Sequence, residues 1–309
     1  MVWALRGLVS IGVLAVLFTV MDVSATWNTL TMVSGTAVLG TLLLFFAQVP
    51  LLAWRWVRIV GMLKGHLTMV HAFQMTLLGR FLNQVLPASF GGDAVRAWQS
   101  TRYGLNGVLA VHSVLIERFT GLVSLIAIVA VALLFVRPTM VPGGSQGGVL
   151  ILLALFAAAC AALAVVWLGR RRLRDRELFA RPIAFLNDAV RTVREPKQFF
   201  WLFVGNTVSN LLSIGAAVTI GSSLGLEVEL WVYAVVMPLS FIATILPISI
   251  AGWGVREGAM VSLLALFGVA STDALALSLL FGMTLLASAM LGGLVWIPVT
   301  VGNAEEAAQ

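Results

Sequence analysis

The chain has 309 residues, of which 60% are hydrophobic and 10% are charged, whereas soluble domains carry about 25% charged residues. Together with a mean hydropathy of +1.03, this composition excludes an ordinary soluble domain and predicts an all-α integral membrane protein. The single cysteine excludes an intrachain disulfide and a cysteine metal cluster. We assign the net charge of +6 to membrane topology rather than to nucleic-acid binding.

Apolar runs predict about six full spans within one polytopic membrane domain that covers residues 1–309. In chain order the predicted spans are 5–22, 31–53, 107–136, 148–168, 198–222 and 274–299. The first run resembles a cleavable signal peptide. Because the first span of a polytopic protein usually serves as its signal, we interpret this run as a retained helix.

The sequence WRWVR, which begins at Trp54, is predicted to close the second span. Trp54 and Trp56 suit the membrane interface, and Arg55 and Arg58 suit the cytoplasm. Residues 54–66 are therefore expected to be cytoplasmic.

Two segments, 67–104 and 230–269, each carry the same helix-breaking sequence: LPASFGGDAVR at 86–96 and LPISIAGWGVR at 246–256. The identical pairs are Leu86 and Leu246, Pro87 and Pro247, Ser89 and Ser249, Gly92 and Gly252, Val95 and Val255, and Arg96 and Arg256. Proline removes a backbone donor and glycine permits left-handed backbone, so each sequence predicts a helix that stops, turns and restarts. At membrane depth such backbone is tolerated only where protein or water surrounds it.

The connector at 169–197 sets the predicted orientation. It contains nine basic and four acidic residues, which places it in the cytoplasm by the positive-inside rule. Both termini are then also cytoplasmic in a multi-pass protein of the cell inner membrane. The two broken segments become re-entrant helical hairpins that enter from opposite faces, which predicts an inverted repeat. Repeat one covers about 55–136 and repeat two about 198–299.

The restarted helices predict a binding site for an anionic group. A helix N-terminus attracts an anion, and an arginine one turn into each helix, Arg96 or Arg256, can hold a phosphate through two donors. Asp93 and Glu257, beside these arginines, either contact an amine of the ligand or form structural salt bridges that hold the hairpins together. The predicted substrate-binding residues are Asn83, Pro87, Ser89, Gly91, Gly92, Asp93, Arg96, Glu117, Arg118, Pro247, Ser249, Gly252, Gly254, Arg256 and Glu257.

Three other polar features have a structural interpretation beside a functional one. Glu117 and Arg118 can supply an internal ion pair. Asn83 and Gln84 can satisfy backbone groups freed by the first break, or contact a head group. A stripe on the fifth span is interpreted as helix–helix hydrogen bonding or as part of a head-group path; its members are Asn206, Ser209, Asn210 and Ser213. The three histidines lack metal-ligand spacing, so no metal and no cofactor is expected.

As a set, these motifs resemble the lysylphosphatidylglycerol synthase transmembrane-region family over roughly 5–299. The matching patterns are N-x-x-x-P-x-x-x-G-G-D-x-x-R from Asn83, the pair Glu117-Arg118, and P-x-S-x-x-G-x-G-x-R-E from Pro247. The resemblance implies a flippase-like membrane domain, because the membrane part of bifunctional members resembles a flippase for an aminoacylated phospholipid.

A membrane lipid transporter is therefore the expected function. It would move a polar phospholipid or an isoprenoid-linked lipid between leaflets. The sequence contains no nucleophile elbow or nucleotide-binding loop, so an enzyme acting on a lipid phosphate is the less favoured alternative, together with a scaffold subunit in lipid or lipid-linked glycan biosynthesis. The expected partners are the lipid itself and no nucleic acid, with a homo-oligomer and a separate biosynthetic enzyme left open.

Overall fold

A computed structural model describes residues 30, 32–86, 91–135, 157, 195–245, 249 and 251–306, with side chains up to 293. These ranges contain helices and no strand. In chain order the helices are α1 (Gly35–Met62), α2 (Met69–Val85), α3 (Gly91–Arg102), α4 (Gly107–Leu133), α5 (Pro196–Ser223), α6 (Leu230–Thr244), α7 (Val255–Ala265) and α8 (Ser271–Glu306).

Four of the described helices are long and apolar enough to cross a membrane: α1, α4, α5 and the Ser271–Gly293 part of α8. The prediction of an all-α membrane protein is therefore confirmed. The predicted span 5–22, the span 148–168 except residue 157, and the connector up to residue 194 lie outside the described residues. The expected total of six spans stays a prediction.

The two halves of the described chain have the same order of helices. The first half begins with a helix of 28 residues, followed by helices of 17, 12 and 27 residues. The second half also begins with a helix of 28 residues, followed by helices of 15, 11 and 36 residues. In each half the two short helices pack against each other. Across the halves, α2 packs on α8 and α6 packs on α4. Each of these helix contacts is thus found again when every helix is replaced by its equivalent in the other half.

The first helices of the two halves, α1 and α5, pack against each other in antiparallel orientation. The hydrogen bonds between them include Ser34 N to Ser223 Oγ at 2.9 Å, Gln48 Nε2 to Ser213 Oγ at 3.1 Å, and Arg58 Nη1 to Gln198 Oε1 at 3.0 Å. Residue numbers rise along α1 as they fall along α5. The first helices of the two halves therefore run in opposite directions.

Both repeated sequences interrupt a helix, as predicted. The first interruption follows Val85 and ends at Gly91, and the second follows Thr244 and ends at Val255. Pro87, Ser89, Phe90 and Pro247 lie outside the described residues.

The second interruption contains three residues with left-handed backbone. Ala251 has φ 50°, Gly252 has φ 82° and Gly254 has φ 84°. Glycine adopts such angles without the steric strain that a Cβ introduces. Glycine at 252 and 254 is therefore favoured by the shape of this turn.

The helix of the predicted second span does not end at WRWVR. Helix α1 continues to Met62, and it places Arg55 and Trp56 in the protein interior, where they are 5% and 0% exposed. The positive-inside rule assigned Arg55 to the cytoplasm because it treats each basic residue as exposed. Here Glu117 pairs with the guanidinium, so the charge is satisfied inside the fold.

Candidate functional site

A cluster of five charged side chains joins α1, α3 and α4. We call it the charge cluster; its members are Arg55, Asp93, Arg96, Glu117 and Arg118. All except Arg118 are buried. Charged groups inside a membrane protein are expensive unless paired, and three cations face two anions here. The charge cluster therefore carries one excess positive charge.

Glu117 is the centre of this cluster. Its Oε1 accepts a hydrogen bond from Arg55 Nη2 at 3.1 Å, and its Oε2 accepts one from Arg96 Nη2 at 2.9 Å. Each carboxylate oxygen thus holds a guanidinium from a different helix. One acidic residue on α4 ties α1 to the short helix α3.

Asp93 forms the second bridge of the cluster. Its Oδ2 accepts a hydrogen bond from Arg118 Nε at 2.7 Å, and its Oδ1 lies 3.5 Å from Arg96 Nη1. Arg96 therefore lies between two carboxylates, and the contact to Asp93 is the longer one. Glu117 and Arg118 are neighbours in sequence but form separate links: Glu117 pairs with Arg55 and Arg96, whereas Arg118 pairs with Asp93.

An aromatic face completes the surroundings of Arg96. The Arg96 Cζ lies 4.3 Å from the ring centroid of Trp56, a distance at which a cation is attracted to an indole face. The indole Nε1 of Trp56 donates to Ser113 Oγ at 2.9 Å. Sequence analysis missed Arg55 and Trp56 as members of this site. The apolar run IVGML that follows Arg58 was the available signal that α1 continues past them.

The first hairpin consists of α2 and α3, which contact each other close to the break. Asn83 Oδ1 accepts a hydrogen bond from the backbone N–H of Gly92 at 2.9 Å, which confirms that Asn83 satisfies a backbone donor at the break. A Cβ on Gly92 would collide with the carbonyl oxygen of Gly79. Gly92 is therefore needed for the close approach of the two helices, while Gly91 is the first residue of α3.

The second hairpin consists of α6 and α7. It contains a smaller charged group, made of Arg256 and Glu257. Glu257 Oε1 accepts from Arg256 Nη2 at 2.5 Å and from its Nε at 3.0 Å. Glu257 Oε2 accepts from the backbone N–H of Gly254 at 2.6 Å. Both side chains are buried, so Glu257 caps the start of α7 while it neutralises its neighbour. Ser249 is also buried at this break.

The two repeated arginines have different partners in the described part of the chain. Arg96 contacts residues of α1, α3 and α4, and Arg256 contacts Glu257, the ring of Trp253 and the ring of Phe281 on α8. These contacts share no residue, and each arginine pairs with a carboxylate of its own hairpin. They favour the structural interpretation of Asp93 and Glu257. The role of the fifteen predicted residues in substrate binding stays a prediction.

The polar stripe of α5 forms hydrogen bonds with neighbouring helices, as its structural interpretation expects. The bonds are Asn206 Nδ2 to Thr120 Oγ1 at 3.3 Å, Asn210 Nδ2 to Ser124 Oγ at 3.3 Å, Ser124 Oγ with Thr207 Oγ1 at 3.0 Å, and Gln48 Nε2 to Ser213 Oγ at 3.1 Å. Among the residues with described side chains, no group of three or more His, Cys, Asp or Glu is placed to hold a metal ion.

Helical architecture, buried charge and interrupted helices define a multi-pass membrane protein. A family model described as the lysylphosphatidylglycerol synthase TM region matches residues 3–293. The chain therefore belongs to this family, which confirms the resemblance of its motifs and is compatible with a lipid-related role in the membrane. No match was found among curated proteins.

Proposed function

We propose that the protein transports a phospholipid or an isoprenoid-linked lipid between the leaflets of the cell inner membrane. The observation that carries this proposal is the antiparallel packing of α1 and α5, combined with helix pairings that recur between the halves. Two halves with the same pairings and opposite direction are the architecture of an inverted repeat. In transporters, such repeats let a central site open to either side of the membrane in turn.

The length of the short helices supports re-entrant hairpins. Helix α2 has 17 residues and α3 has 12, or about 25 Å and 18 Å at the helical rise per residue. The hydrocarbon core is about 30 Å thick. Gly65, after the end of α1, lies against Leu105, before the start of α4. The hairpin between them is thus proposed to leave and return to the same face.

The second hairpin has equivalent dimensions and contacts. Helices α6 and α7 have 15 and 11 residues, which is about 22 Å and 17 Å. At its base, the rings of Trp231 and Phe267 pack edge to face with centroids 5.3 Å apart. Because α5 runs opposite to α1, this hairpin would enter from the other face, and both hairpin tips would lie inside the bilayer.

The interrupted tips give the proposal its mechanism. Backbone that leaves a helix at membrane depth has unpaired polar groups, which are tolerated where they line a cavity that admits water or a polar ligand. A lipid head group could pass along these tips while its acyl chains stay in the bilayer. Rocking of one half against the other would expose the tips first to one leaflet and then to the other.

Transport is tested in vesicles of phosphatidylcholine and phosphatidylglycerol that contain a trace of fluorescent phosphatidylglycerol. A membrane-impermeant reductant quenches the label in the outer leaflet. With the protein present, quenching should proceed beyond the outer-leaflet fraction, and protein-free vesicles should stop there. Repeating the measurement with a fluorescent polyprenyl phosphate distinguishes the two lipid classes. Quenching that stops at the outer-leaflet fraction for both lipids, with folded protein in the vesicles, would contradict the proposal.

A further inference from the structure

Arg80 on α2 has an environment unlike that of the charge cluster. Its Nη1 donates to Gln48 Oε1 at 3.3 Å, and its side chain remains partly exposed. Within the described part of the chain, no carboxylate lies within ion-pair distance of Arg80. A guanidinium has five N–H donors, and a single neutral oxygen at 3.3 Å satisfies little of that capacity.

The other described arginines are compensated in two ways. Four form ion pairs with Asp or Glu: Arg55, Arg96, Arg118 and Arg256. Arg58 lies 4.7 Å from the ring centroid of Trp54, and Arg102 lies 4.2 Å from that of Trp98. Both of these aromatic contacts lie near the end of a helix, where snorkelling to water is possible. Arg80 has neither kind of compensation among the described residues.

The position of Arg80 along α2 makes this lack of compensation significant. Arg80 follows Met69, the first residue of α2, by eleven positions, or about 16 Å along the helix axis. In the proposed hairpin α2 begins at the membrane surface. Arg80 then lies near the middle of a hydrocarbon core that is about 30 Å thick. An ionisable residue at that depth is costly and marks a pathway for a charged ligand by default.

The neighbours of Arg80 hold it in place and leave acceptor and donor groups beside it. Gln48 is oriented by its own bond to Ser213 on α5, so its oxygen faces Arg80. Thr76 and Gln84 lie one turn before and one turn after Arg80 on the same face of α2. Each has a buried oxygen without a hydrogen-bond partner among the described residues. Both oxygens are spare hydrogen-bonding groups on the side of α2 that carries Arg80.

We propose that Arg80 binds the phosphodiester group of the transported lipid midway across the membrane. A phosphodiester supplies the negative charge that Arg80 lacks, and its two free oxygens match the paired donors of a guanidinium. This inference rests on the proposed transport function and names a residue and a chemical group for it. The site is asymmetric, because the equivalent position in the second hairpin, 160 residues later, is the buried Ser240.

The test compares Arg80→Gln, Arg80→Lys and the control Arg58→Gln in the vesicle assay, with fluorescent phosphatidylglycerol and phosphatidylcholine as probes. Arg80→Gln should slow transport of both lipids about tenfold or more, since a charge-assisted hydrogen bond is lost. Arg80→Lys should be intermediate, because an ammonium keeps the charge without the paired donors. Arg58→Gln also removes an arginine that has no carboxylate partner, and it should transport like the unchanged protein.

Lipid binding separates failure of this site from failure of the proposed function. Native mass spectrometry of the purified proteins measures how many phosphatidylglycerol molecules each retains, without any transport step. Fewer retained molecules in Arg80→Gln than in Arg58→Gln would support the site, even if the unchanged protein transports nothing. Equal retention and equal transport in these two variants would overturn the site and leave the proposed function intact.

Discussion

Arg55 on α1 and Glu117 on α4 form a buried ion pair with Nη2 and Oε1 3.1 Å apart. Because Glu117 also accepts from Arg96 on α3, this one carboxylate joins a long helix to the first hairpin. Glu117 therefore holds the first hairpin against α1 and α4 through its two ion pairs. Replacing Glu117 should therefore lower the stability of the whole first half.

Replacing Glu117 with Gln should destabilise the protein strongly. The amide keeps the shape of the side chain but leaves Arg55 and Arg96 without their shared counter-charge. Breaking a buried pair by removing one partner costs about 3–5 kcal/mol. The measurement is the thermal unfolding temperature in detergent, with Glu227→Gln as the control because Glu227 is exposed. Equal unfolding temperatures for the two variants would show that the charge cluster does not hold the hairpin.

Gly92→Ala should prevent the normal closure of the first hairpin. The added Cβ would meet the carbonyl oxygen of Gly79, which is backbone and cannot rotate away. The matched control is Gly61→Ala in α1, where no atom lies within 4 Å of an added Cβ. That control should be neutral or more stable by up to about 1 kcal/mol, because alanine favours a helix. Unfolding temperatures of the two variants that change by the same amount would contradict the close helix approach.

Truncating Glu257 should destabilise the start of α7 more than removing its charge does. Glu257→Ala removes the acceptor for the Gly254 N–H and the partner of Arg256. Glu257→Gln keeps an acceptor for the backbone and loses the ion pair alone. Hydrogen exchange of the amides at the start of α7 should be fastest in Glu257→Ala and intermediate in Glu257→Gln. Identical exchange in all three proteins would show that the cap contributes nothing to this helix.

The interrupted helices were predictable from sequence because their cause is local. Proline and glycine stop a helix through their own backbone, and the repeated offsets mark both breaks in the same way. Asn83 lies one turn before the first break and its bond to Gly92 spans nine residues, so this contact was also within reach of local reasoning.

The charge cluster was only partly predictable because its contacts are distant in sequence. Arg55 and Glu117 are separated by 62 residues, and no periodic pattern connects them. Rules for membrane orientation treat a basic residue as exposed, so the partner of Arg55 had to be seen in three dimensions. The packing of α2 on α8 joins the two halves over a still longer separation, which hydropathy does not encode.

The proposed inverted repeat predicts opposite accessibility of two loops. Gly107, at the start of α4, should lie on the cytoplasmic face, and Glu227, between α5 and α6, on the outer face. Both positions are exposed, and an added Cβ at Gly107 meets no atom within 4 Å. We expect Gly107→Cys and Glu227→Cys, each made with Cys160→Ala, to react differently with a membrane-impermeant maleimide. In intact cells Glu227→Cys alone should be labelled, while permeabilised cells should show labelling of both. Labelling of both variants, or of Gly107→Cys alone, in intact cells would contradict the proposed orientation.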